Sequence, residues 1–132
     1  FSKLRYIRRT NKYCVNASAI KLPFNNESFH TVVCSGVIER IKKEEPIFNE
    51  IKRVLKKDGT LILSTPDYSK TTWRIIEKIY RFVLGNAYGD RYKNVSHYTI
   101  RELQERLKRE NLEIIKAQYI CNSEIILKIK KR

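Results

Sequence analysis

Few side chains in this sequence have the chemistry to move a proton or grip an anion. His97 closes a long polar loop and is the candidate histidine base. His30 opens a β-branched run and is expected to pack inside it. Glu39 stands one turn beyond the end of that run, either orienting a ligand or serving as a helix-start carboxylate. Asp67 and Tyr68 follow Pro66 directly, and Tyr98 follows His97. Lys70, Arg74, Lys78 and Arg81 recur at spacings of four, four and three, which gathers charge into a stripe on a helix. Such a stripe can hold RNA phosphates, hold the phosphate of a small molecule, or simply form a solvated surface. Cys14, Cys34 and Cys121 lack any Cys-x-x-Cys or Cys/His spacing. No metal site is expected from them, and they read as reduced core thiols.

These residues are positioned by a recognisable order of elements. Residues 3–9 (KLRYIRR) suit the end of a short basic helix, and residues 13–15 read as a brief strand. Pro23 biases Leu22 towards an extended backbone, so Leu22 and Phe24 form a rigid apolar wedge. Residues 29–35 (FHTVVCS) show little alternation, the pattern of a parallel strand covered on both faces. Glu44, Glu45 and Pro46 open a helix whose apolar face is Ile47, Phe48, Ile51, Val54 and Leu55, with Lys56 and Lys57 at its negative end. Asp58 and Gly59 supply a turn, and residues 60–65 (TLILST) form a second buried strand stopped by Pro66. This is a strand-helix-strand unit, whose crossover is expected to be right-handed.

A longer helix is predicted over residues 72–84, with Trp73, Ile76, Tyr80 and Val83 lining one side. The loop at 85–98 is too long for a simple joint. Thr99 and Glu102 have the spacing of a capping box, ahead of a stripe of Ile100, Leu103 and Leu107. Asn111 can close that helix in the left-handed conformation. Residues 112–119 and 124–129 then read as an antiparallel hairpin.

The sequence has 132 residues, 42% of them hydrophobic, which suits one globular domain with its own core and excludes a disordered tail. No apolar run reaches the roughly 20 residues of a membrane span, and the amino terminus lacks the apolar centre of a signal peptide. A cytoplasmic setting is the expectation. Lysine and arginine total 28 against 14 acidic residues, a formal charge of +14, which attracts polyanions such as nucleic acid in a salt-dependent way. No methionine occurs, even at position 1, which predicts a processed or trimmed chain.

Taken in order, NASAIKLPFNNESFHTVVCSGVIERI, EIKRVLKKDGTLILSTP and HYTIRELQERLKRENLEII resemble the second half of a class I S-adenosylmethionine-dependent methyltransferase of the ubiquinone-biosynthesis-like type. That family shows Asp-Ala, Leu-Pro-Phe, a short acidic step, a buried strand, Glu-His and an Arg-Val-Leu-Lys-Pro-Gly-Gly turn. The resemblance runs over residues 13–130. It implies an α/β fold, a partial Rossmann-like doubly wound sheet, mostly parallel with a carboxyl-terminal antiparallel hairpin. It also implies a single domain, residues 1–132, lacking the first two strands of the family and its glycine-rich cofactor loop.

The resemblance further implies S-adenosylmethionine as cofactor, lying across the carboxyl ends of the strands. Asn16, where the family has aspartate, would accept from the adenine amino group, and Ala17 would offer its amide to the ring. Ser35 and Gly36 would lie near the methionine part of the cofactor. Asp67, Tyr68 and Tyr98 become candidates for the acceptor, and Glu39 and His97 candidates for the chemistry. Methyl transfer is an in-line displacement that rests largely on positioning, which suits a sequence poor in catalytic side chains. The implied activity is methyl transfer to a small metabolite, a lipid or tRNA. The alternative is a non-catalytic basic remnant that binds nucleic acid or a partner protein. An oligomer, or a preceding segment, would complete the sheet.

Overall fold

The computed structural model describes residues 13–42, 45–85 and 95–132. The expected helix end at 3–9, Glu44 and most of the loop at 85–98 lie outside the described residues.

Strand β1 (Phe29–Ser35) leads through a single 3-10 turn (Ile38–Arg40) to helix α1 (Glu45–Val54) and strand β2 (Leu55–Pro66). The two strands pair in parallel, with Val32 opposite Leu61 and Ser35 opposite Ser64, so the strand-helix-strand unit forms as the sequence predicts. Ile47, Phe48, Ile51 and Val54 are all buried, at the spacing that puts them on one helical face. Each large apolar side chain so buried contributes roughly 1.5–3 kcal/mol.

The helix ends sooner than its apolar spacing suggests. Leu55 already belongs to β2, and the positive end charges are Lys52 and Arg53 rather than Lys56 and Lys57. The Asp58-Gly59 turn survives as a bulge inside the strand. Phe29 pairs with Leu55 but Thr31 with Thr60, so residues 56–59 loop out of register. A Cβ on Gly59 would stand 2.9 Å from the Lys56 carbonyl oxygen, which is too close for any other residue.

Helix α2 (Thr71–Leu84) and helix α3 (Ile100–Arg109) come next, then strands β3 (Leu112–Ile120) and β4 (Glu124–Lys131). The α3 capping box is complete: the Glu102 amide donates to Thr99 Oγ1, and the Thr99 amide donates to Glu102 Oε2 at 2.9 Å. Asn111 closes α3 at φ 56°. Cys121 and Asn122, at φ 48° and 49°, make the tight turn of the expected hairpin. The loop runs over three residues, 121–123, and its two successive positive φ angles suit the twist of the strands it joins. The hairpin places β4 between β2 and β3, giving the order β1-β2-β4-β3.

Leu61, Leu63, Ile125, Leu127 and Ile129 share one core with Cys34, with α1 and with Leu103 and Leu107 of α3. The register Leu61 to Ile129 and Leu63 to Leu127 puts these side chains on a single sheet face.

Several expectations need correction. Residues 13–15 form no strand: Tyr13 is 93% exposed, and the only pairing nearby among the described residues is an isolated bridge between Ser18 and Lys21. A strand needs a neighbour to take its amides and carbonyls, and the described residues supply none there. β1 is covered on one face, not both, since Cys34 is buried while Val33 is 68% exposed. His30, at the beginning of β1, is exposed as well, its Nε2 3.2 Å from Lys56 Nζ. Cys121 is exposed in the hairpin turn and not a core thiol. Finally, no residue of α2 is buried. Trp73 and Ile76 are half-buried, but Tyr80 and Val83 look outward.

Candidate functional site

The site is built where β1 and β2 end side by side. Ser35 Oγ lies 2.7 Å from Ser64 Oγ, and the Gly36 amide donates to the Ser64 carbonyl at 3.2 Å. Gly36 turns the chain at φ 64°, a conformation glycine adopts without strain. Its carbonyl accepts from Arg40 Nε at 3.2 Å.

The 3-10 turn then carries Glu39 inward, where it is 3% exposed. Thr65 Oγ1, at the end of β2, donates to Glu39 Oε2 at 3.2 Å. Burial pushes the Glu39 carboxyl above its ordinary value, although the hydrogen bonds it accepts pull the other way. Burial first, and then the Glu39 charge, push the Cys34 thiol up to about 11, so Cys34 stays an inert thiol.

A third segment laces across both strand ends. The Val95 and Ser96 amides donate to the Glu39 carbonyl at 2.7 and 2.9 Å, and the Tyr68 amide donates to the Tyr98 carbonyl at 2.9 Å. Ser96 Oγ donates to the Ile41 carbonyl at 2.8 Å. Glu39, Tyr68, His97 and Tyr98, far apart in sequence, therefore meet at one edge of the sheet. The sequence identified these four, but not Thr65 and Ser96, which fasten them. Hydroxyl residues at the ends of strands carry no spacing signal of their own.

Asp67 is 1% exposed and saturated. Its Oδ1 accepts from the Ser69 amide at 2.9 Å and from Ser69 Oγ at 2.7 Å, and its Oδ2 accepts from the Tyr119 hydroxyl at 2.7 Å. Burial pushes the Asp67 carboxyl up, but the bonds from Tyr119, Ser69 and the Ile100 amide outweigh it and hold the carboxyl below its ordinary value. Burial and the Asp67 carboxylate push the Tyr119 phenol up to about 12. Asp67 thus anchors the β2 exit to the hairpin.

Tyr68, the next residue, is the one turned to the outside of this anchor. Its ring meets His97 edge-on at 4.2 Å between centroids and Trp73 at 6.2 Å. Its hydroxyl lies 3.4 Å from Glu77 Oε1. Tyr68 and His97 form one side of a cleft of about 400 Å³ completed by Arg74, Glu77, Lys78 and Arg81 of α2. Lys70 departs from the stripe, its Nζ standing 4.7 Å over the Tyr119 ring.

Asn16 and Ala17 lie on an irregular, exposed segment. The chain beyond them is pinned by Glu50 and Arg53 of α1, a pair that the sequence does not single out. Glu50 Oε1 accepts from the Leu22 amide at 2.6 Å. Arg53 donates to the carbonyls of Leu22 and Phe24 and to Asn26 Oδ1. The Arg53 guanidinium and the Leu22 amide hold the Glu50 carboxyl down to about 2. The spacing of three on a helix suggests an ordinary surface pair. Its long reach to the Leu-Pro-Phe wedge is a tertiary fact.

Among the described residues, no group of three His, Cys, Asp or Glu side chains is placed to hold a metal. No helix there is long and apolar enough to cross a membrane.

Residues 2–63 match a family model described as a methyltransferase domain. A comparison with curated proteins found no match. Among solved structures, the chain is similar to an S-adenosylmethionine-dependent methyltransferase of Mesorhizobium loti, at TM-score 0.72 and 13% identity over 98% of this chain and 76% of that one. It is similar also to a Thermotoga maritima S-adenosylmethionine-dependent methyltransferase described as a possible histamine N-methyltransferase. That match has TM-score 0.70 and 20% identity, over 89% of this chain and 63% of the other. A third, the Burkholderia thailandensis 1,6-didemethyltoxoflavin-N1-methyltransferase, was solved with its substrate and S-adenosylhomocysteine. It matches at TM-score 0.62 and 14% identity, over 89% of this chain and 49% of that one. The chain thus spans less than two thirds of two of these three. Residues 2–63 are thus similar in sequence to a methyltransferase domain, and the chain shares the α/β fold of S-adenosylmethionine-dependent methyltransferases.

Proposed function

We propose that this chain provides the acceptor side and the adenine-side wall of an S-adenosylmethionine-dependent methyltransferase. The observation that carries the reading is the lacing of three distant segments at the carboxyl ends of the parallel pair β1 and β2, where ligands of open α/β sheets bind. The available groups fit one side of the cofactor. Gly36 presents backbone without a Cβ at a turn, which permits close approach, and the exposed Asn16 amide can accept from an amino group. Ala17 and Ser35 complete that set.

When bound, the cofactor supplies an electrophilic methyl group. Its transfer would require the acceptor's nucleophilic atom to be held in line with that methyl group. The residues of this chain position that event. Glu39 is a positioning residue, since its buried carboxylate and its carbonyl tie the 3-10 turn to Thr65 and to residues 95 and 96. In this reading His97 takes the acceptor's proton, supported by the Tyr68 ring against its own and with Tyr98 next in sequence. Asp67 keeps Tyr68 in place.

Calorimetric titration with S-adenosylhomocysteine tests the reading. One-site binding is expected, and it should weaken at least tenfold in Gly36→Val, whose backbone cannot hold the φ of this turn without strain. In transfer assays His97→Gln should lower the rate about a hundredfold, the low end for losing a positioned base. Absence of binding to the protein would overturn the proposal.

A further inference from the structure

The cleft between α2 and the Tyr68-His97 pair is unlike the rest of this basic surface. Arg74, Lys78 and Arg81 lie at i, i+4 and i+7, so they share one flank of α2 and converge on the cleft. Facing them are two aromatic rings in edge contact. The one acid in the cleft, Glu77, is engaged with the Tyr68 hydroxyl. Three cations against one carboxylate make a positive cavity, and two of the three are guanidinium forks suited to phosphate oxygens.

We propose that this cleft binds the phosphate of a small aromatic phosphate ester, its ring packing on Tyr68 and His97. At about 400 Å³ the volume falls in the range of small-molecule sites. A nucleic-acid track would instead extend the cations and stacking rings along a longer groove. Lys70, the residue that would lengthen the row, is turned onto Tyr119. The cleft opens beside Asp67 and Tyr68, at the same sheet edge as the candidate transfer site. The inference therefore rests on the methyltransferase reading when it names this ligand the acceptor.

The test uses the intrinsic fluorescence of Trp73, the sole tryptophan, whose ring packs on Tyr68. Phenyl phosphate should change it saturably, and phenol should bind at least tenfold more weakly. The variant Arg74→Gln/Lys78→Gln/Arg81→Gln should lose about a hundredfold or more, each charge-assisted contact being worth about tenfold. Arg74→Lys/Arg81→Lys, which keeps the charge, should retain most of the binding. These side chains are exposed, so circular dichroism should report an unchanged fold. Equal binding of phenol and phenyl phosphate, an unchanged response in the triple Gln variant, or tighter binding of a short RNA than of phenyl phosphate would each overturn the proposal. S-adenosylhomocysteine titrated into the unaltered protein and into the triple variant separates the two readings. Cofactor binding retained in the variant with phenyl phosphate binding lost supports both, and a phosphate response of the unaltered protein without cofactor binding overturns only the methyltransferase reading.

Discussion

The bond between the Tyr119 hydroxyl and Asp67 Oδ2, 2.7 Å long, is the strut that ties the hairpin to the exit of β2, and its worth can be measured. Tyr119→Phe keeps the ring, and with it the contact under Lys70, and removes only the hydroxyl. A hydrogen bond to a charged group contributes about 1.5–3 kcal/mol. Tyr119 is 39% exposed, so water replaces part of that contact, and the expected loss is about 1–2 kcal/mol. Asp67→Ala removes the acceptor of Ser69 as well. Ser69 is exposed and its donors can turn to water, so about 2–4 kcal/mol is expected. The double variant should be scarcely less stable than Asp67→Ala alone, giving a coupling of about 1–2 kcal/mol in urea unfolding followed by circular dichroism.

The pH dependence has two ends. Asp67 is held below its ordinary value, so its contribution is complete above about pH 3.9 and fades as pH falls through the folded value. Tyr119 is raised to about 12, so its contribution is complete below about pH 10 and fades as pH rises towards 12. The alkaline loss should vanish in Tyr119→Phe. A coupling below about 0.5 kcal/mol, within the scatter of independent sites, would refute the strut.

Five further expectations are simpler. Leu127→Ala, at a side chain with no exposure, should cost about 3 kcal/mol in denaturant unfolding through the cavity it leaves. Thr99→Ala should cost about 1 kcal/mol by the same measurement, from loss of the capping box. Gly59→Ala should destabilise by about 1–3 kcal/mol, because the new methyl meets backbone at 2.9 Å. Arg53→Ala should speed hydrogen exchange at the Leu22 amide, which donates to Glu50, while leaving exchange at Leu63 and Leu127 unchanged. The Glu50 clasp should itself loosen as pH falls from about 4.3 towards about 2, visible as faster exchange at the same amide.

The parts of this fold that were legible in sequence are those set by local rules. The apolar spacing in α1, the Thr99-Glu102 box, the left-handed Asn111 and the turn before β4 each depend on residues within a few positions of one another. The expectations that failed depended on neighbours. FHTVVCS reads as a doubly covered strand, yet coverage belongs to the layers around a strand, and only one face of β1 meets the core. The α2 periodicity is real, but nothing in a period says whether a partner lies against it. The candidate site divides in the same way. His97, Tyr68 and Tyr98 were visible as residue types, while their meeting rests on backbone bonds from residues 95, 96 and 68. Asp67 looked like a group facing a ligand, and only the donors around it reveal it as an anchor.

The sheet order also fixes a schedule. β4 is the last of the four described strands to be made, yet it lies inside the sheet, with β2 on one side and β3 on the other. While the chain is being synthesised, β1 and β2 can pair early, but β3 has nothing to dock on until residues 124–131 emerge. Until then one side of β2 is an open template with unsatisfied amides, the kind of edge on which nascent chains associate wrongly. The tight turn at Cys121 and Asn122 shortens that interval, because β4 needs to close only a three-residue loop on β3 before the pair can dock. Completion of the sheet is thus coupled to the arrival of its final strand, and a ribosome paused before Glu124 would hold the protein in its most association-prone state.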